Sequence, residues 1–207
     1  MALVKYNNNS ISAITSAAAI PAGAMTLIKE QTASSSSTIS FVHGTSDVVL
    51  DSTYPIYVFK FYDIHVATDD KDFLFNMSVD GGSNYNVTKT TTFFEGYHNE
   101  GDSSAGLQYN TGFDLAQSTS GQVLFHSVGN QNDESCAGTL HLFNPSSTTF
   151  VKHFLFTGNN YNQDDFLINA FVGGYGNTTS AVNAVQFSME SGNIDSGTFK
   201  LYGIKDS

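Results

Sequence analysis

Tryptophan is absent from this chain, cysteine occurs once and proline three times. Each scarcity closes off a class of protein. A single cysteine, Cys136, allows no intrachain disulfide, so the fold does not depend on an oxidising compartment. Two acids stand close to that cysteine in "NDESCAG" and would raise the pKa of its thiol, which argues against a nucleophile. The lack of tryptophan removes a common sugar-stacking platform. Charge is scarce as well: 13% of the 207 residues are charged, and Lys and Arg together number 8 against 19 Asp and Glu. With a net charge of −11 and scattered basic residues, the chain lacks the cationic footprint that nucleic acid or an anionic membrane surface requires. No apolar run reaches the length of about 18 residues needed for a membrane span.

Several signatures are missing too. The six histidines form no HExxH or compact zinc spacing, although His126, His141 and His153 fall in different predicted strands and could converge. "GDSSAG" (101–106) is not G-x-S-x-G and has no strand–elbow–helix context. The acid groups Asp69/Asp70/Asp72, Asp133/Glu134 and Asp164/Asp165 could serve glycoside hydrolysis or hold Ca²⁺, but no EF-type loop is present and they read as solvated loop charges. No phosphate-binding or dinucleotide fingerprint, heptad pattern or fixed-period repeat occurs. The sequence therefore assigns no catalytic, metal-binding or cofactor-binding residue. The sequons at Asn8, Asn76, Asn86 and Asn177 are the chance product of a chain rich in Asn, Ser and Thr.

What is present is a strand-rich pattern. Hydrophobic residues make up 40% of the chain, including 17 Phe and 10 Tyr, and Ser, Thr, Asn and Gly supply the polar surface. Residues 1–24 are small and weakly apolar. The polar Asn7–Ser10 stretch and the Ser, Thr and Pro residues beyond it make a structural arm, rather than a secretory leader, the expected reading. Ile11, Ile14 and Ile20 are its candidate gripping residues. Residues 25–207 are expected to form a single domain, an all-β, jelly-roll-like antiparallel sandwich. Thr32–Ser37 reads as a loop or hairpin. Strands are expected at 54–66, 73–79, 88–98, 122–128, 139–143, 149–157, 165–173, 184–190 and 198–204, with Gly158-Asn159-Asn160 closing one of them. The last two are expected to pair as a long-looped hairpin.

The segment "YPIYVFKFYDIHV" is apolar on both parities. It is either central or interfacial. Tyr57, Phe59 and Phe61 are therefore candidate partner-binding residues, and a homotrimer packed through such strands is expected. Tyr85, Tyr161 and Tyr175 lie in Gly/Asn-rich loops and are candidates for receptor or glycan contact.

Four stretches, "NNNSISAITSAAAIPAGAMTLIKEQTASSSSTISF", "YVFKFYDIHVATDDKDFLFNMSVDGGSNYN", "TLHLFNPSSTTFVKHF" and "SGNIDSGTFKLYGIK", resemble structural proteins of tailed phages of marine bacteria, including cyanophages. The likeness extends over nearly the whole chain and carries no catalytic motif. It implies a non-enzymatic virion component assembled in the host bacterial cytoplasm. Its partners would be copies of itself and other virion proteins, such as the major capsid or tail proteins. The missing shaft repeats favour a capsid decoration protein. The alternative is a tail or tail-fibre component that binds a host receptor or surface glycan.

Overall fold

A computed structural model describes residues 25–205. Ile11, Ile14 and Ile20, with the whole expected arm, lie outside the described residues. The strands are β1 (Met25–Ser36), β2 (Thr38–Val42), β3 (Ile56–Val66), β4 (Lys71–Ser78), β5 (Lys89–Asn99) and β6 (Ala105–Tyr109). They continue as β7 (Gln122–Val128), β8 (Cys136–Phe143), β9 (Lys152–Tyr161), β10 (Phe166–Gly176), β11 (Ala184–Met189) and β12 (Ile194–Ile204). No helix occurs among the described residues.

All pairings are antiparallel. They build an eight-stranded sheet in the order β1-β12-β3-β8-β9-β10-β5-β6 and a four-stranded sheet in the order β2-β11-β4-β7. Placing β1-β12-β3-β8 opposite β2-β11-β4-β7 gives the connectivity of a jelly roll. Two inserts widen it. The β5–β6 hairpin lies between β4 and β7 in the chain, and the β9–β10 hairpin between β8 and β11. The inserts pair with each other through β10 and β5 and extend one sheet by four strands.

The sheets are joined by phenylalanine. Phe61 on β3 has ring neighbours on both sheets: Phe73 at 5.4 Å, Phe125 at 6.1 Å, Phe156 at 6.0 Å, Phe187 at 5.4 Å and Phe199 at 5.9 Å between centroids. Gly138 and Gly158, opposite each other on β8 and β9, make room for these rings. A Cβ at Gly158 would lie 2.7 Å from both Phe125 Cζ and Phe156 Cζ, and one at Gly138 would lie 2.7 Å from Phe156 Cε2. This explains why β9 runs on through Gly158-Asn159-Asn160, where a turn was expected: the glycine makes space for rings inside a strand.

Three further expectations change. Tyr57, Phe59 and Phe61 face the core and are at most 1% exposed, so they present nothing to a partner. The double parity of β3 has two sources within the chain. Ile56 and Val58 occupy the opposite face, and between Phe61 and Ile64 the ladder to β8 slips by one residue, with Asp63 at φ 54°. That bulge returns Ile64 to the core. Secondly, β11 and β12 do not pair. The turn at 190–193 carries the chain from one sheet to the other, so β12 lies between β1 and β3. Thirdly, β1 continues to Ser36 through the expected loop and pairs with β12 instead of forming a hairpin with β2.

Phe61→Ala removes the ring shared by both sheets and should lower the unfolding free energy by about 3–5 kcal/mol, read from denaturant midpoints. Leu107→Ala on exposed β6 should stay within about 0.5 kcal/mol of the parent.

Candidate functional site: the outer face of the eight-stranded sheet

One face of the eight-stranded sheet packs on the core; no described residue covers the other. Alternation along β9 and β10 turns Phe154, Phe156, Ile168, Ala170 and Val172 inward and Leu155, Leu167 and Phe171 outward. The inserts carry most of the large exposed apolar side chains of the described residues, from 42% exposed at Phe94 to 76% at Leu107, with Tyr109, Leu155 and Leu167 between. Phe94 and Phe171, opposite each other on β5 and β10, stack at 5.1 Å with 8° between their planes. On the other side of the sheet Met25 and Leu27 are exposed on β1, and Val58 is covered.

Strand register fixes two rows on this face. One runs Tyr202, Val58, His141, Leu155, Gly173; the next runs Lys200, Lys60, Thr139, Thr157, Phe171, Phe94. Lys60 sits 5.7 Å from the Tyr202 ring centroid and Lys200 sits 5.5 Å from that of Tyr62. Glu30 is the one carboxylate among the described residues across the middle of the face, and Lys200 holds it at 3.1 Å. Burial, with the Lys60 charge as a second cause, pushes the His141 pKa down, so this imidazole is mostly neutral at pH 7. A shallow trough of about 390 Å³ lies at the centre, lined by Lys60, Thr139, Thr157, Asn159 and Asn169 among others.

Carboxylates collect elsewhere. Asp69, Asp70, Asp102, Asp133, Asp164 and Glu190 all lie in the turns at one end of the sandwich. The predicted acid groups are thus near one pole but in separate turns, and several have structural partners. Asp72 accepts from Ser127 N at 3.1 Å, buried Glu134 accepts from Gln131 N at 2.5 Å, and Asp165 accepts from the Tyr161 hydroxyl at 3.2 Å. Among the described residues no group of three or more His, Cys, Asp and Glu side chains is arranged to hold a metal ion. The three histidines do not converge: His126 faces inward, while His141 and His153 face outward on β8 and β9. Cys136 is buried, which raises its thiol pKa and keeps it protonated.

The three tyrosine candidates are also dispersed. Tyr85 folds back over Gly82, its hydroxyl 2.8 Å from where a Cβ would stand, and so closes a turn. That turn is organised by Asp80, which accepts from Ser78 Oγ at 2.6 Å and Asn84 N at 2.9 Å. Tyr175 lies on the outer face with its ring 6.0 Å from that of His153. Tyr161 lines a cleft of about 300 Å³ at the acidic end with His98, Asn99, Glu100 and Leu167. Its phenol is pushed up to about 12 by desolvation and the neighbouring Asp165 and Glu100 carboxylates, so it remains a hydrogen-bond donor.

A buried polar clasp fastens the inserts beneath this face. Glu95 on β5, 1% exposed, accepts from His126 Nε2 on β7 at 2.7 Å, Gln108 Nε2 on β6 at 2.7 Å and Asn110 Nδ2 at 3.3 Å. The His126 ring stacks on Phe113 at 4.7 Å. Nearer the opposite end of β5, Lys89 is fully buried, donating to Asn76 Oδ1 at 2.6 Å and Val87 O at 2.9 Å, and burial lowers its pKa to about 8. None of these roles follows from local sequence, because the partners of Glu95 and the Asn76 partner of Lys89 lie at least 13 residues away in the chain. The outer apolar row had a visible signal in "KHFLF", where Leu155 interrupts the Phe154/Phe156 parity with another apolar residue. Searches against protein-family models, characterised proteins and solved structures found no match.

Burial raises the Glu95 pKa, but hydrogen bonds from His126 and Gln108, the His126 charge and the Asn110 bond outweigh it and hold the carboxyl below its ordinary value of 4.5. A depressed folded-state pKa contributes stability that is present above the unfolded value and lost as pH falls through the folded one. Thermal melts should therefore show a loss below about pH 4.5 that is smaller in Glu95→Gln. The same loss in both proteins would remove Glu95 as its source.

Proposed function

We propose that this chain is a non-enzymatic structural component of a bacteriophage particle, a jelly-roll module of the capsid-decoration kind, assembled in the host bacterial cytoplasm. The observation that carries the reading is the outer face of the eight-stranded sheet, which no described residue covers. The exposed Phe94, Leu107, Tyr109, Leu155 and Leu167 gathered on its insert half are the kind of apolar cluster that assembly surfaces carry. The charge distribution supports it: turns at one end concentrate the carboxylates, while the sheet face is nearly free of them. The phrasing shared with marine-phage structural proteins supplies the particle as the setting, and buried Cys136 is compatible with assembly in a reducing cell. Cryo-EM of particles containing this protein tests the proposal. Density for the twelve-strand sandwich on the head surface, with the outer sheet face covered by a neighbouring molecule and the acidic end toward solvent, is expected. Absence from the particle would overturn the virion reading.

The second reading is a tail or tail-fibre component that binds a host glycan. The cleft of Tyr161, His98, Asn99, Glu100 and Leu167 favours it, combining polar donors and acceptors with an apolar wall. It predicts glycan-array binding that Tyr161→Ala weakens at least about tenfold, and tail-located density. No binding at high micromolar concentration would count against it.

A further inference from the structure

We propose that the outer face of the eight-stranded sheet is covered by the same face of a second copy, in an isologous pair whose twofold axis runs parallel to the strands between β8 and β9. The proposal rests on the reading of this face as an assembly surface, but not on the virion setting. It also departs from the homotrimer expected from Tyr57, Phe59 and Phe61, which are spent on the core.

Charge selects the partner first. Two copies of a chain with net charge −11 repel each other wherever carboxylate meets carboxylate. The outer face is where that repulsion is weakest. Its middle holds Lys60 and Lys200, and its carboxylate, Glu30, is already paired with Lys200.

The two halves of the face then fit one another. A twofold axis parallel to the strands exchanges left and right but keeps each residue in its row. Strand β3 of one copy then lies over β10 of the other, β12 over β5, and β8 over β9. In the second row this sets Lys60 over Phe171 and Lys200 over Phe94. Each lysine thus lies over the stacked Phe94/Phe171 pair, whose apolar edges its methylene stem covers. In the first row His141 meets Leu155. Thr139 and Thr157 meet at the axis. The jelly-roll half of each copy, which carries the lysines, is thereby matched by the insert half of the other, which carries the rings.

Size is compatible as well. Eight strands about 4.8 Å apart, over the two rows named and a third through Ala137, Asn159, Asn169 and Gly96, set an upper limit on the order of 700 Å² per copy, against the roughly 800 Å² per partner of a standard interface. Natural twist rotates the stacked sheets by about 30° and leaves the closest contact on β3, β8, β9 and β10.

Light scattering of the isolated protein at about 100 µM, a concentration well above the Kd of standard-size interfaces, tests the pairing. A mass twice the 22.3 kDa of one chain is expected; a monomer or trimer would overturn it. Leu155→Asp, on a surface where folding does not need leucine, should keep the circular dichroism spectrum and weaken pairing at least about tenfold, because dimerisation would bury the new charge. Phe150→Asp, 68% exposed in the loop before β9, should leave pairing intact. Geometry is tested by single cysteines, since native Cys136 is buried. Thr157→Cys near the axis should be joined by a short bis-maleimide, and Ser103→Cys at the acidic end should not. The reverse pattern would overturn the arrangement even if a dimer forms. A dimer absent from particles would leave the pairing standing and remove the virion reading; a monomer found on particles would do the opposite.

Discussion

The structure depends on one aromatic junction. Phe61 reaches from the eight-stranded sheet to Phe73, Phe125 and Phe187 of the four-stranded sheet while also touching Phe156 and Phe199 of its own. Ring pairs of this kind contribute about 0.5–1.5 kcal/mol each beyond the area they bury. Their shared member couples the two layers into one unit. The junction also dictates nearby backbone choices. Gly138 and Gly158 are needed because rings lie against them, and the bulge at Tyr62–Asp63 keeps Phe61 and Ile64 on one face. With no disulfide available, packing of this quality carries the stability of the sandwich.

A jelly roll needs eight strands, and this chain uses twelve. The four additional strands share the core of the roll, to which they add Phe93, Phe154, Phe156, Ala170 and Val172. Their inward side is served by β7, the Phe93–Phe113–His126 group and the Glu95 clasp. Their outward side is rich in exposed Leu, Phe and Tyr. The inserts thus serve two tasks: their inner side extends the core, and their outer side supplies a broad surface. A buried carboxylate such as Glu95 is costly unless fully hydrogen-bonded, and here it links β5, β6 and β7. Attaching the inserts this way fixes the angle of the surface they carry.

Much of the fold was legible in the sequence because strand signals are local. The alternation Phe73, Phe75, Met77 and the turn at Asp80–Asn84 stand close together in the chain, and β7 is found where expected at Gln122–Val128. Pairing is not local. Nothing in "SGNIDSG" distinguishes a hairpin turn from a link that crosses between sheets, so the partners of β11 and β12 needed the three-dimensional fold. β6 escaped notice because "AGLQY" is short and exposed on both faces. The two-sided apolar pattern of β3 left a central and an interfacial strand open; β3 is central, between β12 and β8, and packing and a bulge explain the pattern without a partner. The interaction face was hidden for a related reason: Phe94, Leu155 and Phe171 belong to three strands that register alone brings together.

The central claim is that this broad sheet face is covered in the assembled protein. Hydroxyl-radical footprinting at assembling concentration addresses it residue by residue. Phe150, exposed in the loop before β9 and outside the two rows of the face, serves as the internal reference. Protection of Phe94, Phe171 and Leu155 relative to Phe150, relieved on dilution, is the predicted result; reaction at all four in proportion to their exposure in the single chain would contradict it.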